Sequence, residues 1–197
     1  MDSIYNICSC GSNKKFKFCC YATIRTQDPL KTGAALSGLP VFMCMIDENW
    51  KDAGIANILV TRKMPNNNYI VAIYLVDFWC LGVKNVLIRI NIDYDEIHSY
   101  CMQIAAGDGE GAMSISYEEA RSMILGSIKY AKHLGFNPHP DWQQAKYMIE
   151  FDRTFEDNIT FGKDGKPFYV EGPNDKKIAN VIINQVVKFG GNWMKVI

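Results

Sequence analysis

Thirteen residues near the start of the chain, Cys8-Ser9-Cys10-Gly11-Ser12-Asn13-Lys14-Lys15-Phe16-Lys17-Phe18-Cys19-Cys20, hold four of its seven cysteines. They fall as a C-x-C pair and an adjacent C-C pair. A segment this short has almost no apolar core, so burial alone cannot fold it. A single loop can fold back so that both pairs reach one metal ion. Four thiolates with tetrahedral reach are what a closed zinc site needs. Metal binding would then supply the folding free energy, on the order of 10 kcal/mol. The competing reading is a reduced, metal-free cysteine cluster in a flexible tail. A catalytic zinc fits less well, because four protein ligands leave no open position.

An odd cysteine count with tight clustering argues for a reducing compartment and a metal rather than a disulfide framework. Adjacent cysteines seldom bond to each other, because the peptide between them must distort. The N-terminus lacks the basic start and apolar core of a signal peptide, and no apolar run is long enough to span a bilayer. The expected location is the cytoplasm. The formal net charge is zero, so whole-molecule electrostatics do not point to nucleic acid or membrane. The charge is nonetheless uneven. Residues 1–37 carry Lys14, Lys15, Lys17, Arg25 and Lys31 against Asp2 and Asp28, so the basic excess sits on and near the cysteine loop.

The loop resembles the SEC-C motif, the zinc knuckle found at the C-terminus of the preprotein translocase motor SecA and on many other bacterial proteins. The family pattern is close to C-P-C-G-S-G-K-K-Y-K-x-C-C/H, and here it reads C-S-C-G-S-N-K-K-F-K-F-C-C. The match covers Cys8, Cys10, Gly11, Ser12, Lys14, Lys15, Lys17, Cys19 and Cys20, with Phe16 in the aromatic slot. Ser9 replaces the usual Pro, which loosens the first pair. Asn13 replaces a Gly, and Asn is the next best residue for a left-handed backbone. The resemblance implies Zn²⁺ as cofactor, with Cys8, Cys10, Cys19 and Cys20 as its ligands.

In SecA-like proteins the module binds acidic protein surfaces, notably the chaperone SecB, and has been linked to ribosomes. The resemblance therefore implies a docking role for Lys14, Lys15, Phe16, Lys17 and Phe18. Lysines interleaved with aromatics also suit RNA phosphates and bases, or DNA. The plainer reading is a solvated basic face with two phenylalanines packing the knuckle.

Residues 23–40 mix Pro, Gly, Thr and small side chains without a sustained period and read as a linker between a knuckle at 1–22 and a body at 41–197. From Val41 to Ile92 the body reads as β. Ile55–Arg62 is rich in β-branched residues, and Pro65-Asn66-Asn67-Asn68 is a turn. Tyr69–Cys80 is apolar on both faces, which suits a strand covered on both sides. Val83–Ile92 alternates, with Val86, Ile88, Ile90 and Ile92 expected on one face. Short connections favour an antiparallel meander.

Helices then dominate. Asp93–Ala106 presents Ile97, Tyr100, Cys101 and Ile104 on one face. Ser116-Tyr117-Glu118-Glu119 is a capping box opening a helix to about Leu134. A third helix is expected from about Asp141 to about Phe151, and a last one after Gly172-Pro173-Asn174-Asp175, lined by Ile178, Val181, Ile182, Gln185 and Val186 and ended by Gly190-Gly191. Between them, Asn158–Phe161 and Pro167–Val170 flank an Asp164-Gly165 step and read as a hairpin. The sum is an α+β domain, an antiparallel sheet with about four helices packed on one face. Tyr69–Lys84 and Phe161–Asp175 loosely resemble segments of bacterial proteins that carry an N-terminal SEC-C motif, which implies architecture only.

An enzyme reading of the body rests on Asp77, Cys80 and Lys84 at the end of the long strand, with His98, His133 or His139 as a base for a Cys80 nucleophile. Against it, Cys80 lies in an apolar context, where a buried core thiol is common. Gly107-Asp108-Gly109-Glu110-Gly111 lacks the ligand spacing of a calcium loop and reads as a flexible linker. Trp50, Trp79, Trp142 and Trp193 read as packing residues, whereas an exposed cluster of them would mark a partner surface. The leading expectation is a zinc-binding adaptor docking an acidic protein or ribosome-associated partner. The alternatives are a nucleic-acid-associated protein and an enzyme built on Asp77 and Cys80.

Overall fold

The β-branched runs of the body pair into one sheet in the computed structural model, which describes residues 7, 14, 15, 18, 36–107, 111–172, 175 and 177–195. Strands β1 (Val41–Asp47), β2 (Ile55–Lys63), β3 (Tyr69–Asp77), β4 (Gly82–Ile92) and β5 (Ala112–Ile115) lie in the order β4-β3-β2-β1-β5, every pair antiparallel. The one-turn helix α1 (Trp50–Ala53) joins β1 to β2. The β2–β3 turn closes through Asn67 at φ 64°, a left-handed position that asparagine tolerates.

Side chains alternate across the sheet and build two separate cores. On one face, Ile58, Val60, Ile70, Ala72 and Tyr74 pack with Ala120, Ile124 and Ile128 of α3 (Tyr117–His133). On the other, Leu59, Tyr69 and Val71 pack with Ile97 and Ile104 of α2 (Tyr94–Gly107). Helices therefore cover both faces, correcting the one-face expectation and explaining why β3 is apolar up to its terminal Asp77. Five α-helices are present among the described residues. The capping box of α3 forms as read: the Glu119 N–H donates to Ser116 Oγ at 3.1 Å, and the Ser116 N–H donates to Glu119 Oε2 at 2.7 Å.

Two bulges in β4 break its expected alternation. Tyr69 pairs with Ile92 but Ile70 with Ile90, leaving Asn91 extra at φ 64°. Ile92 is thereby buried beside α2 while Ile90 stays half-exposed. Leu75 pairs with Asn85 but Val76 with Val83, leaving Lys84 extra. That extra residue brings Val83 and Val86 into the same core.

Downstream, the expected third helix is only a one-turn α4 (Trp142–Ala145) followed by a 3-10 turn at Lys146–Ile149. Asp164 and Gly165 do make a tight turn, both at positive φ, but it closes a single bridge between Lys163 and Lys166. Residues 158–161 are not a strand. Instead β6 (Phe168–Glu171) pairs in parallel with β7 (Asn192–Lys195), which follows α5 (Ala179–Lys188). Cys80, Leu134, Tyr169, Ala179, Ile182 and Val186 form the small core that joins this unit to the end of α3.

Residues 36–40 pack on the body. Leu36 is buried in the main core, and the Lys63 N–H donates to the Pro40 carbonyl at 2.9 Å. Among the described residues, no helix is long and apolar enough to cross a membrane.

Candidate functional site

Of the cysteine loop, the described residues are Ile7, Lys14, Lys15 and Phe18. The expected ligands Cys8, Cys10, Cys19 and Cys20, and the contact residues Phe16 and Lys17, lie outside the described residues. Ile7 bridges antiparallel to Lys15. The Phe18 N–H donates to the Lys15 carbonyl at 2.9 Å. Lys15 thus pairs with Ile7 and opens a short turn to Phe18. Ile7, Lys14, Lys15 and Phe18 are all exposed, with Phe18 at 68%.

The body's expected constellation comes together in part. Asp77 ends β3, and its Oδ1 accepts the N–H groups of Trp79 and Cys80 at 2.9 Å each. Its Oδ2 lies 3.9 Å from Cys80 Sγ. This is an Asx turn that reverses the chain into β4. Burial raises the Asp77 carboxyl; the Cys80 N–H and the Lys84 charge oppose this without overcoming it. Cys80 is fully buried, and burial together with the Asp77 charge pushes its thiol far above the ordinary range. A nucleophilic cysteine needs the reverse shift. Among the described residues, the neighbouring Tyr130 hydroxyl is buried without a hydrogen-bond partner.

The histidines stand elsewhere. His98 and His133 are exposed, and His133 lies edge-on to Phe189 with centroids 5.3 Å apart. His139 donates its backbone N–H to the Val83 carbonyl, and its Nδ1 lies 3.5 Å from Asp141. Asp108 and Glu110 of the glycine loop lie outside the described residues. Trp142 is buried, Trp50 and Trp79 are half-buried, and Trp193 is 40% exposed. Among the described residues, no group of three or more His, Cys, Asp or Glu side chains is placed to hold a metal ion.

Sequence reasoning missed a network of buried arginines. Arg62 of β2 donates through Nε to the Met148 carbonyl at 3.0 Å. One terminal nitrogen reaches the Ser37 and Leu39 carbonyls, and the other reaches the Tyr117 hydroxyl and Glu150 Oε1. Arg121 of α3 holds the carbonyls of Ile149, Glu150, Arg153 and Thr154 and the Glu118 carboxylate. Each guanidinium has five N–H donors, and here each makes five contacts. Neither has a donor left for a ligand, so the pair fastens residues 148–154 and 37–39 to the body. The one available signal was an arginine closing the β-branched run of β2.

Compared with models of protein families, with curated proteins and with solved structures, the chain shows no significant match in any of the three.

Proposed function

We propose that the chain is a zinc-binding interaction protein of the cytoplasm, docking through a SEC-C-like loop to an acidic protein surface such as a SecB-like chaperone or a ribosomal protein. The observation that carries this reading is the bridge between Ile7 and Lys15, which folds the chain ahead of the first cysteine back against the middle of the loop. Ile7 and Phe18 are both bonded to Lys15, and Cys8 and Cys19 are their covalent neighbours. Two thiol pairs within thirteen residues suit a four-thiolate site in chemistry and in reach. Such a site around Zn²⁺ has a formal charge of about −2, which Lys14, Lys15 and Lys17 offset.

The exposed Lys14, Lys15 and Phe18 then form the contact surface. Within the body, burial first and the Asp77 charge second push the Cys80 thiol up, which disfavours Cys80 as a nucleophile. A nucleic-acid role is kept as the second reading on the same lysines and phenylalanines.

Metal analysis of freshly purified protein should find about one zinc per chain, abolished in Cys19→Ser/Cys20→Ser. Less than half an equivalent in the wild type overturns the zinc assignment. Affinity capture from native lysate with the same two proteins tests the docking role, and an identical captured set overturns it. Steep loss of capture with rising salt, together with nuclease sensitivity, selects the nucleic-acid reading instead.

A further inference from the structure

Strand β4 is one edge of the five-stranded sheet, and an edge strand leaves a row of backbone donors and acceptors unpaired. Three bonds show which residues turn that row outward. The His139 N–H donates to the Val83 carbonyl at 2.9 Å. The Val86 N–H donates to Asn85 Oδ1 at 2.8 Å, and the Ile88 carbonyl accepts from Arg89 Nη1 at 2.9 Å. The last two bonds come from side chains of the strand itself, so Val86 and Ile88 turn their backbone groups away from β3. Such residues alternate in an antiparallel ladder, so Ile90 turns outward as well. Among the described residues, no backbone group meets Val86, Ile88 or Ile90 on that side.

The open stretch is bounded at both ends. Residue 139 occupies the edge at Val83, and the Lys84 bulge follows. At the far end Asn91 makes the second bulge and Ile92 ends the strand. The regular segment between them, Asn-Val-Leu-Ile-Arg-Ile, has Arg89 as its one charge. Val86 and Ile88 lie on the face that packs on the main core, and Ile90, next on that face, is 50% exposed. Edges are ordinarily blunted by lysine, proline or a central bulge, and this segment has none of them.

We propose that β4 pairs antiparallel with β4 of a second copy about a twofold axis through Ile88, joining two five-stranded sheets into one. Val86, Ile88 and Ile90 are evenly spaced about Ile88, so the strand is its own complement. Ile88 meets Ile88 of the second copy, and Val86 meets Ile90 in both directions. These β-branched cross-strand pairs cover the exposed Ile90. Arg89 releases the Ile88 carbonyl and stands opposite Leu87 of the second copy. Leu87 borders a groove of about 280 Å³ whose Asn57, Asn85 and Gln103 supply neutral acceptors for a guanidinium.

Neighbouring registers are worse for physical reasons. Centring the pair on Arg89 sets that charge opposite its own copy. Centring it on Leu87 sets Ile90 and Asn91 opposite Val83, where residue 139 of the second copy already lies. Centring it on Ile88 sets only Asp93 there, one residue past the end of β4. It also brings Lys84 of each copy to the acidic start of α2 in the other, at Asp93, Asp95 and Glu96. This charge complementarity at both ends, around an apolar centre, selects a second copy as the occupant over an unrelated strand. The pairing is independent of the cysteine loop and of zinc.

Sedimentation equilibrium of the full chain over a concentration series, before and after chelation, reads the association. A reversible dimer with a Kd of about 1–500 µM is expected, weak because an edge pair is a small interface, and it should survive chelation. Ile90→Lys should weaken it by about tenfold or more, whereas Val181→Lys, at an exposed valine of α5, should not. Circular dichroism and thermal melting confirm that both variants fold. Register is read by cysteine cross-linking. Directly opposed residues of a bonded pair have Cα atoms about 5.5 Å apart, within disulfide reach. Mild oxidation of Ile88→Cys should give a covalent dimer linked through position 88 by peptide mapping, and Arg89→Cys should give none through position 89. A chain that stays monomeric up to about 1 mM overturns the proposal. So does a dimer indifferent to Ile90→Lys in a folded protein, or a link at position 89 as fast as at position 88. A dimer abolished by chelation but not by Ile90→Lys assigns the association to the cysteine loop and overturns the edge pairing.

Discussion

Arg62 and Glu150 meet in an ion pair of 2.9 Å although 88 positions separate them in sequence. The Arg62 side chain is 2% exposed and the Glu150 side chain 21%. The pair is one corner of a knot that also ties the Ser37, Leu39 and Met148 carbonyls and the Tyr117 hydroxyl to one guanidinium. Through it the arm leading from the cysteine loop, the central strand and the segment after the 3-10 turn become one cooperative unit.

Removing Arg62 leaves three carbonyls and a carboxylate without their donor inside the protein. Arg62→Met should lower the unfolding free energy by about 3–5 kcal/mol, the range for breaking a buried charged pair. Glu150→Gln keeps an acceptor for the guanidinium and should lower it by only about 1 kcal/mol. Urea unfolding of the two variants checks the order. A loss below about 1 kcal/mol for Arg62→Met contradicts the account.

The same pair sets an acid limit. Burial pushes the Glu150 carboxyl up, but hydrogen bonds from Arg62 and Tyr117 outweigh it and hold the carboxyl below the usual glutamate range. A depressed folded pKa adds stability that is present above the unfolded value and is lost as pH falls through the folded one. Glu119, lowered by the Ser116 backbone N–H, acts in the same direction from an exposed site. Stability should therefore decline below about pH 4.3, the ordinary glutamate value, and decline less steeply in Glu150→Gln. Denaturant unfolding at a series of pH values reads both slopes. Parallel slopes would remove Glu150 from the explanation.

What could be read in advance follows the range of the interactions. The nine apolar and flanking residues of β3 announce an internal strand locally, and Ser116 and Glu119 announce a helix start within four positions. Arg62 gives no such signal, because its acceptors come from positions 37, 39 and 148 and no local period encodes them. Asn91 reads as an ordinary polar position of β4, and only its pairing with β3 makes it a bulge. The Asp164-Gly165 turn is legible, yet its strongest inference failed. The partner of β6 arrives after α5, and no local turn can announce a strand from 24 positions downstream. The cysteine loop is the reverse case, since all four candidate ligands fall in one short stretch and are named by pattern alone.

The thiols should separate by burial. Cys44 is buried in the main core and pushed up to about 12 by burial, with the Arg62 charge opposing. Cys80 is raised further still, by burial and by Asp77. Cys101 on α2 is half-buried and raised by burial as well. Alkylation of native protein with iodoacetamide, followed by peptide mapping, should modify Cys101 well before Cys44 or Cys80. The latter two should react only after denaturant is added, because the thiolate is the reactive form. Native labelling of Cys80 as fast as Cys101 would overturn the buried-thiol description and revive Cys80 as a nucleophile.

Asp77 provides the sharpest contrast between a turn-forming and a reactive carboxylate. Its folded pKa is raised, first by burial. A raised value contributes stability below the unfolded pKa, and that stability is lost as pH rises through the folded value. Asp77→Asn keeps the Oδ1 acceptor for the Trp79 and Cys80 N–H groups and removes the buried charge. Its stability relative to wild type should therefore improve steadily as pH rises from acid to neutral. Asp77→Ala removes the acceptor and should lower stability by about 1–3 kcal/mol, the penalty for leaving buried donors unpaired. Unfolding curves for the three proteins, at acid and neutral pH, decide the matter. If Asp77→Asn proves as damaging as Asp77→Ala at neutral pH, the carboxylate itself is required there. The Asx turn would then be an incomplete account of why an acid sits beside Cys80 and Lys84.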